Sequence, residues 1–327
     1  MPRISEKELH GGGSAGLCLF YHRHRRYVLI ASAVFIIFLT YSFGPSVIRA
    51  IAPCPSRSQL EFQLRDFLLY RNSQSKGDVD RESVMQNMTG SDIAPDNPTL
   101  VSVVRNHFVD APRPFVTKFS LPLTQTPQAE AVDKILRGKT AGFFLECGGL
   151  DGERSSNTLW LEQKRDWNGV LIEMDPSYYM QLRGKNRKCY SINACLSPKN
   201  YPDTLSFREH DLGEGQLVKE DSTDDFAVQK AYCLPFHTIM LALNRTKIDY
   251  LSLDVEGWEL PIMRTIPFDL IDISVISVEI KHGPEGSSAY TEFLESKGFK
   301  YHSHLHFMRR ELFLSGNDYI FVNKNLK

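Results

Sequence analysis

The run Phe143-Phe-Leu-Glu146-Cys147, followed at once by Gly148-Gly-Leu-Asp151-Gly152, constrains this chain more than any other feature. An apolar stretch of strand length ends in an acid, and a glycine-rich turn follows. A second apolar run, Val170-Leu-Ile, ends in another acid, Glu173, about 25 residues on, close to the spacing of a dinucleotide fingerprint. A nucleotide-type cofactor site on an open α/β sheet is built this way. The turn lets backbone approach the ligand, and the later acid accepts bonds from ribose hydroxyls. The structural alternative is a strand–turn–helix whose acids face solvent.

The rest of the C-terminal half repeats the pattern. Thr126 as cap and Pro127 in the first turn predict a helix over 126–137, closed by Gly138. Further strands are predicted at 189–195, 250–255, 275–280 and 318–322. Helices are predicted at 156–164, 177–184, 239–244 and 290–297, and 203–230 reads as an acidic loop. Strands alternating with helices predict a Rossmann-like α/β fold, a mostly parallel sheet with helices on both faces. The last strand is expected as an antiparallel edge.

The N-terminus sets a topology. Residues 27–48, including the uncharged Val28–Phe43, are apolar over about 20 residues, enough to cross a bilayer. Arg23, Arg25 and Arg26 lie directly before the span. The positive-inside rule then leaves residues 1–26 in the cytoplasm. The chain is expected to be a single-pass type II membrane protein, with everything after about residue 50 in the lumen or outside the cell. Residues 49–125 are expected to form a luminal stem, and 126–327 the folded domain. The sequons at Asn87 and Asn244 lie on the luminal side and offer glycosylation sites. Five cysteines, Cys54, Cys147, Cys189, Cys195 and Cys233, fall where disulfides form. Five is odd, so at least one is unpaired within the chain; Cys147, ending a core strand, is the expected buried thiol. A net charge of −1 supplies no field to attract nucleic acid.

Three constellations carry candidate chemistry. Glu146, Gly148, Asp151, Gly152 and Glu173 surround the glycine turn. A strand ending in Asp254-Val-Glu256-Gly257-Trp-Glu259 brings two acids to the carboxyl edge of the sheet. They can bind a cation, orient a hydroxyl or act as a base, or simply complement a helix dipole. Val278-Glu279-Ile-Lys-His282-Gly283 should fall beside them, with His282 able to exchange a proton. Ser155-Ser-Asn-Thr158 reads as a helix cap. No metal site is expected.

These blocks resemble the FkbM family of S-adenosylmethionine-dependent methyltransferases over roughly residues 126–323. The matching motifs are Glu146-Cys-Gly148, Glu173-Met-Asp175-Pro176, Asn193-Ala194 and Asp254-Val-Glu256-Gly257-Trp-Glu259. The resemblance implies a class I methyltransferase fold. Glu146, Gly148, Gly152 and Asn193 would line the adenosylmethionine cleft, Glu173 would hold the ribose, and Asp254 and Glu256 would face the substrate. Leu150 stands where the family has Asn, and Ser252 where it has Lys. These departures bear on catalysis more than on fold. The GGLDG turn, SSNTLWLE, GVLIEMDP and DYLSLDVEGWE together also resemble the Star-like family of type II membrane proteins. That resemblance implies assistance to the export of membrane-tethered ligands of the EGF receptor. The competing expectation is an active luminal O-methyltransferase.

Overall fold

The computed structural model describes residues 84–85, 87–112, 119, 126–208, 216–217, 228–280, 286–309 and 314–326. All fall in the compact unit Gly77–Lys327. The expected cytoplasmic tail, the span 27–48, Cys54 and His282 lie outside the described residues. Among the described residues, no helix is long and apolar enough to cross a membrane.

In chain order the elements are α1 (Pro98–Val103), continued by a π-helical turn (Val104–Phe108), β1 (Val109–Asp110), α2 (Pro127–Ile135), β2 (Phe143–Cys147), α3 (Leu159–Arg165), β3 (Asn168–Glu173), α4 (Pro176–Gly184), β4 (Tyr190–Asn193), β5 (Cys195–Leu196), β6 (Asp203–Arg208), β7 (Gln216–Leu217) and β8 (Val228–Leu234). Then come α5 (Phe236–Ala242), β9 (Lys247–Leu253), α6 (Glu259–Met263), β10 (Asp272–Glu279), α7 (Gly286–Ser296), β11 (Phe299–Arg309) and β12 (Leu314–Asn323).

The large sheet runs β1-β4-β3-β2-β9-β10-β12-β11. From β4 to β10 its strands are parallel. Strand order reverses between β2 and β9, so the topological switch point lies above their carboxyl ends. This is a Rossmann-like α/β fold. Strand β12 is antiparallel, as expected, but it is not the edge. Strand β11 pairs outside it. Its polar alternate positions, Lys300, His302, His304 and His306, and the bulge after Tyr301 interrupt any continuous apolar run, which hid it.

Side chains alternate across the sheet. Phe143, Leu145, Leu251 and Leu253 point into one core with α1, α5, α6 and α7. Phe144, Tyr250 and Val275 point into a second core with α2, α3 and Leu182 of α4. Burial on both faces explains why these strands read as nearly continuous apolar runs.

Two expectations are corrected. Residues 84–112 are not stem: Met85, Leu100, Val104 and Phe108 are buried in the main core, and β1 extends the sheet beside β4. Asn97 caps α1 through Thr99 and Leu100 amides, with Pro98 at its start. That is the same signal that Thr126 and Pro127 give α2. The acidic segment 203–230 is not only loop. Strands β6 and β8 pair antiparallel within a small sheet, ordered β5-β8-β6-β7. A Cys195–Cys233 disulfide, with Cα atoms 4.3 Å apart, ties its parallel pair β5 and β8. The expected third strand breaks at Ala194, where β4 ends and β5 leaves for the second sheet. Cys147 is a free buried thiol, as expected, and Cys189 is another.

Candidate functional site

The glycine turn leaves β2 at the switch point. Gly148 has a φ of 87°, and a Cβ there would lie 2.2 Å from the Asp254 carbonyl oxygen. At Gly152 a Cβ would meet Leu182 of α4 at 3.1 Å. Both glycines therefore admit close approach of protein. Leu150 adopts a φ of 44°, a left-handed conformation that the family's Asn tolerates better than a leucine.

Glu146 is 2% exposed, and its carboxylate accepts three bonds from within the protein. It accepts from Ser156 Oγ at 3.0 Å, from the Asn157 amide at 2.7 Å and from Thr158 Oγ1. Burial raises its pKa, while Arg187 and these bonds oppose the rise. The Ser155–Thr158 group thus does more than cap. Ser156 Oγ does accept the Leu159 amide at 3.2 Å, but the group also donates hydrogen bonds to Glu146. Arg187, 3% exposed, grips the same loop. It pairs with Glu162 at 2.9 Å and donates to the Gly152 carbonyl at 2.6 Å and to Thr158 Oγ1 at 3.1 Å. No sequence signal marks Arg187, which sits in a basic Asn-Arg-Lys run like many solvated arginines. The amides leading into α3 are held by Ser156 and Glu146, so this short helix presents no open anion site.

Glu173 ends β3 and faces the turn. Its Oε2 accepts the Leu150 amide and its Oε1 the Asp175 amide, each at 2.8 Å. Burial pushes its pKa up to about 7 against those bonds. Asn193 donates to the Glu173 and Met174 carbonyls at 2.9 and 3.1 Å. Asp151 Oδ1 accepts the Glu153 and Arg154 amides. Each residue stands where the motif predicts, and each side chain is already engaged by the protein.

The second constellation assembles at the carboxyl ends of β9 and β10. Asp254 follows β9, and Glu279 ends β10 one register step beyond Leu253↔Val278. Oxygens of Asp254, Glu256 and Glu279 lie within 4.8 Å of one another, close enough to hold a cation. Among the described residues this is the one group of three or more metal-capable side chains. Burial first, then Glu279, Glu256, Asp318 and Glu259, raises the Asp254 pKa well above the carboxylate range. Glu259 is the first residue of α6. Its carboxylate accepts the Val255 amide at 3.0 Å and the Gly257 amide at 3.1 Å. The sequence reading picked Asp254 and Glu256 here and expected the Glu279 segment beside them, but passed over Asp318. Asp318 is buried on β12 opposite Glu279, bonded by Gln128 Nε2 at 2.7 Å. Only strand pairing, invisible in sequence, brings them together.

Residues 146–301 match the family described as Methyltransferase FkbM domain. The chain carries a methyltransferase-like domain of the FkbM type. Its match spans the glycine turn, Glu173, Asn193 and the acidic rim, and stops within β11. Solved structures similar to it include precorrin-6y C5,15-methyltransferase from Geobacter metallireducens, 14% identical, covering 65% of this chain and 95% of that one, with a TM-score of 0.37. A human methyltransferase 10 domain containing protein is 10% identical, covering 71% and 98%, with a TM-score of 0.36. Magnesium protoporphyrin IX methyltransferase from Synechocystis, with bound SAM, is 10% identical, covering 60% and 79%, with a TM-score of 0.32. No curated protein matches the chain.

The cofactor of an active FkbM-type domain is S-adenosylmethionine. The residues present fit it in position and charge. Glu173 keeps a lone pair on each oxygen for a ribose hydroxyl, and the acidic rim suits a sulfonium cation. They fit it poorly as free hydrogen-bonding groups, because Glu146, Asp151, Glu173 and Asn193 are all committed internally.

Proposed function

We propose that this chain is a Star-like, single-pass type II membrane protein of the secretory pathway. Its FkbM-type domain acts in the lumen as a binding scaffold that assists trafficking of membrane-tethered ligands of the EGF receptor. The observation that carries the scaffold reading is the closure of the cofactor residues onto the protein itself. Glu173 bonds two amides, Asn193 bonds two carbonyls, and Glu146 accepts three bonds from the 156–158 loop. The Cys195–Cys233 disulfide supports an oxidising compartment. The cargo class rests on the sequence resemblance alone.

The second reading is a luminal O-methyltransferase, favoured by the retained Glu173 and by the raised pKa of Asp254, which burial first and the neighbouring carboxylates next hold above its ordinary value. In that reading Glu173 holds the ribose, Asp254 and Glu256 orient the acceptor, and the cofactor supplies an activated methyl group.

Calorimetric titration of the full chain with S-adenosylmethionine separates the two. The scaffold reading expects no heat at millimolar ligand. Tight binding that is lost in Glu173→Ala would overturn it. Capture of a membrane-tethered EGF-type ligand by the full chain tests the cargo, and failure to capture any removes that assignment.

Topology has its own test. Asn87 and Asn244 are both exposed. Asn244 sits between α5 and β9, at the amino edge of the sheet, so a glycan there leaves the acidic rim clear. Glycosidase treatment is expected to lower the apparent mass, and the Asn87→Gln, Asn244→Gln double variant should not respond. An unmodified chain that is cut by protease from the cytosolic side of sealed vesicles would reverse the orientation.

A further inference from the structure

Strand β11 is the outermost strand of the large sheet and carries exposed His302, His304 and His306 at alternate positions. The register breaks between Tyr301 and Ser303, so His302 is the extra residue of a bulge. His304 lies opposite Tyr319 and His306 opposite Asn317, which places both on one face of the strand. Their ring centroids are 6.2 Å apart.

The His304 ring is fixed twice. It stacks on Tyr319, with centroids 4.3 Å apart and planes 23° from parallel. Its Nε2 lies 2.6 Å from Asn317 Oδ1. The Asn317 amide is itself oriented, because its Nδ2 donates to the Ile280 carbonyl. An amide oxygen only accepts, so Nε2 of the neutral ring bears the proton and Nδ1 bears the bare lone pair. An imidazole whose one nitrogen donates to a carbonyl oxygen while the other is bare is the arrangement that orients metal ligands.

We propose that His304 and His306 form a chelating pair for a first-row transition ion of the Zn2+ or Cu2+ class. Imidazole nitrogen suits these ions, whereas oxygen sets suit Mg2+ and Ca2+. With a metal–nitrogen bond of about 2.0 Å and about 1.1 Å from nitrogen to ring centre, two imidazoles on one ion have centroids about 5–6 Å apart. The observed separation reaches that range with a small side-chain rotation. The acidic group at Asp254 lies on other strands and supplies oxygens only. Two protein ligands leave open coordination positions for water or for a ligand atom of a partner. This site is independent of the cleft and of the trafficking reading.

The test is equilibrium dialysis of the metal-stripped full chain against Zn2+, compared with H304Q, H306Q and H302Q. H304Q and H306Q are each expected to lose one equivalent of bound ion, and H302Q to keep it. Asn317→Ala is expected to keep the equivalent with affinity about tenfold weaker, since only ring orientation is lost. Cu2+ electron paramagnetic resonance of the unmutated chain should show nitrogen coupling from two imidazoles, which holds even if a variant folds poorly. Equal stoichiometry in the unmutated chain and the H304Q, H306Q double variant would overturn the proposal. So would loss of the ion in H302Q, or Cu2+ spectra without nitrogen coupling.

Discussion

Gly148→Ala is expected to destabilise the domain by on the order of 4 kcal/mol or more, against about 1 kcal/mol for Gly298→Ala. Both glycines are left-handed, with φ of 87° and 91°. An added Cβ at Gly298 meets nothing within 4 Å, whereas at Gly148 it would stand 2.2 Å from the Asp254 carbonyl oxygen. That oxygen belongs to backbone and cannot swing aside. The Asp254 amide donates to the Cys147 carbonyl at 3.3 Å, and β2 and β9 are held in register at Cys147↔Leu253. Relief would require prising the two central strands apart at the switch point. The pair of variants separates the cost of backbone conformation from the cost of close approach. Denaturant midpoints of the two measure the difference, and equal losses would sink the close-approach argument.

Gly148 also shows what the sequence does and does not disclose. The strand–glycine turn–strand–acid pattern located the residue, the turn and the fold, because two-sided burial writes itself as apolar runs. The neighbour that demands glycine could not be read. The pattern suggests a ligand at that position, and the structure places the Asp254 carbonyl there. Glu173 follows the same logic. Its position at the end of β3 was legible, but its two amide partners, Leu150 and Asp175, are set by a turn geometry that no local spacing encodes. Arg187 and Asp318 were missed because a buried charge looks like any other charge until its partners are known. Strand β1 and helix α1 were missed for a different reason. The polar residues around them lowered the mean hydropathy, although Asn97-Pro98 carried a plain helix-start signal. The β6–β8 pairing was hidden because an acidic segment separates two short, partly buried strands that neither carry a long apolar run nor sit close in sequence.

Lowering the pH from 8 to about 5.5 is expected to stabilise the domain, by about 3 kcal/mol. Burial pushes Glu173 up to about 7 and Asp318 up to about 6. Glu146 and Glu259 are raised as well, also by burial. A carboxyl whose folded pKa is raised binds its proton more tightly folded than unfolded, so stability falls as pH rises. Its contribution is complete below the unfolded pKa, near 4 to 4.5. It is lost as pH climbs through about 6 for Asp318 and about 7 for Glu173. Glu173→Gln removes the larger of these two titrations while keeping the side chain's shape, and should flatten the dependence between pH 5.5 and 8. Thermal or denaturant melts across that range decide the matter; a fold that weakens on acidification, or a Gln variant with an unchanged slope, refutes it. The same titration bears on the cleft. A ribose-binding acid works best ionised, yet Glu173 is near half-protonated at pH 7 and neutral in acidic compartments. Acidification therefore firms the fold while discharging the group that would hold the cofactor's ribose, a combination that suits the proposed scaffold better than a methyltransferase.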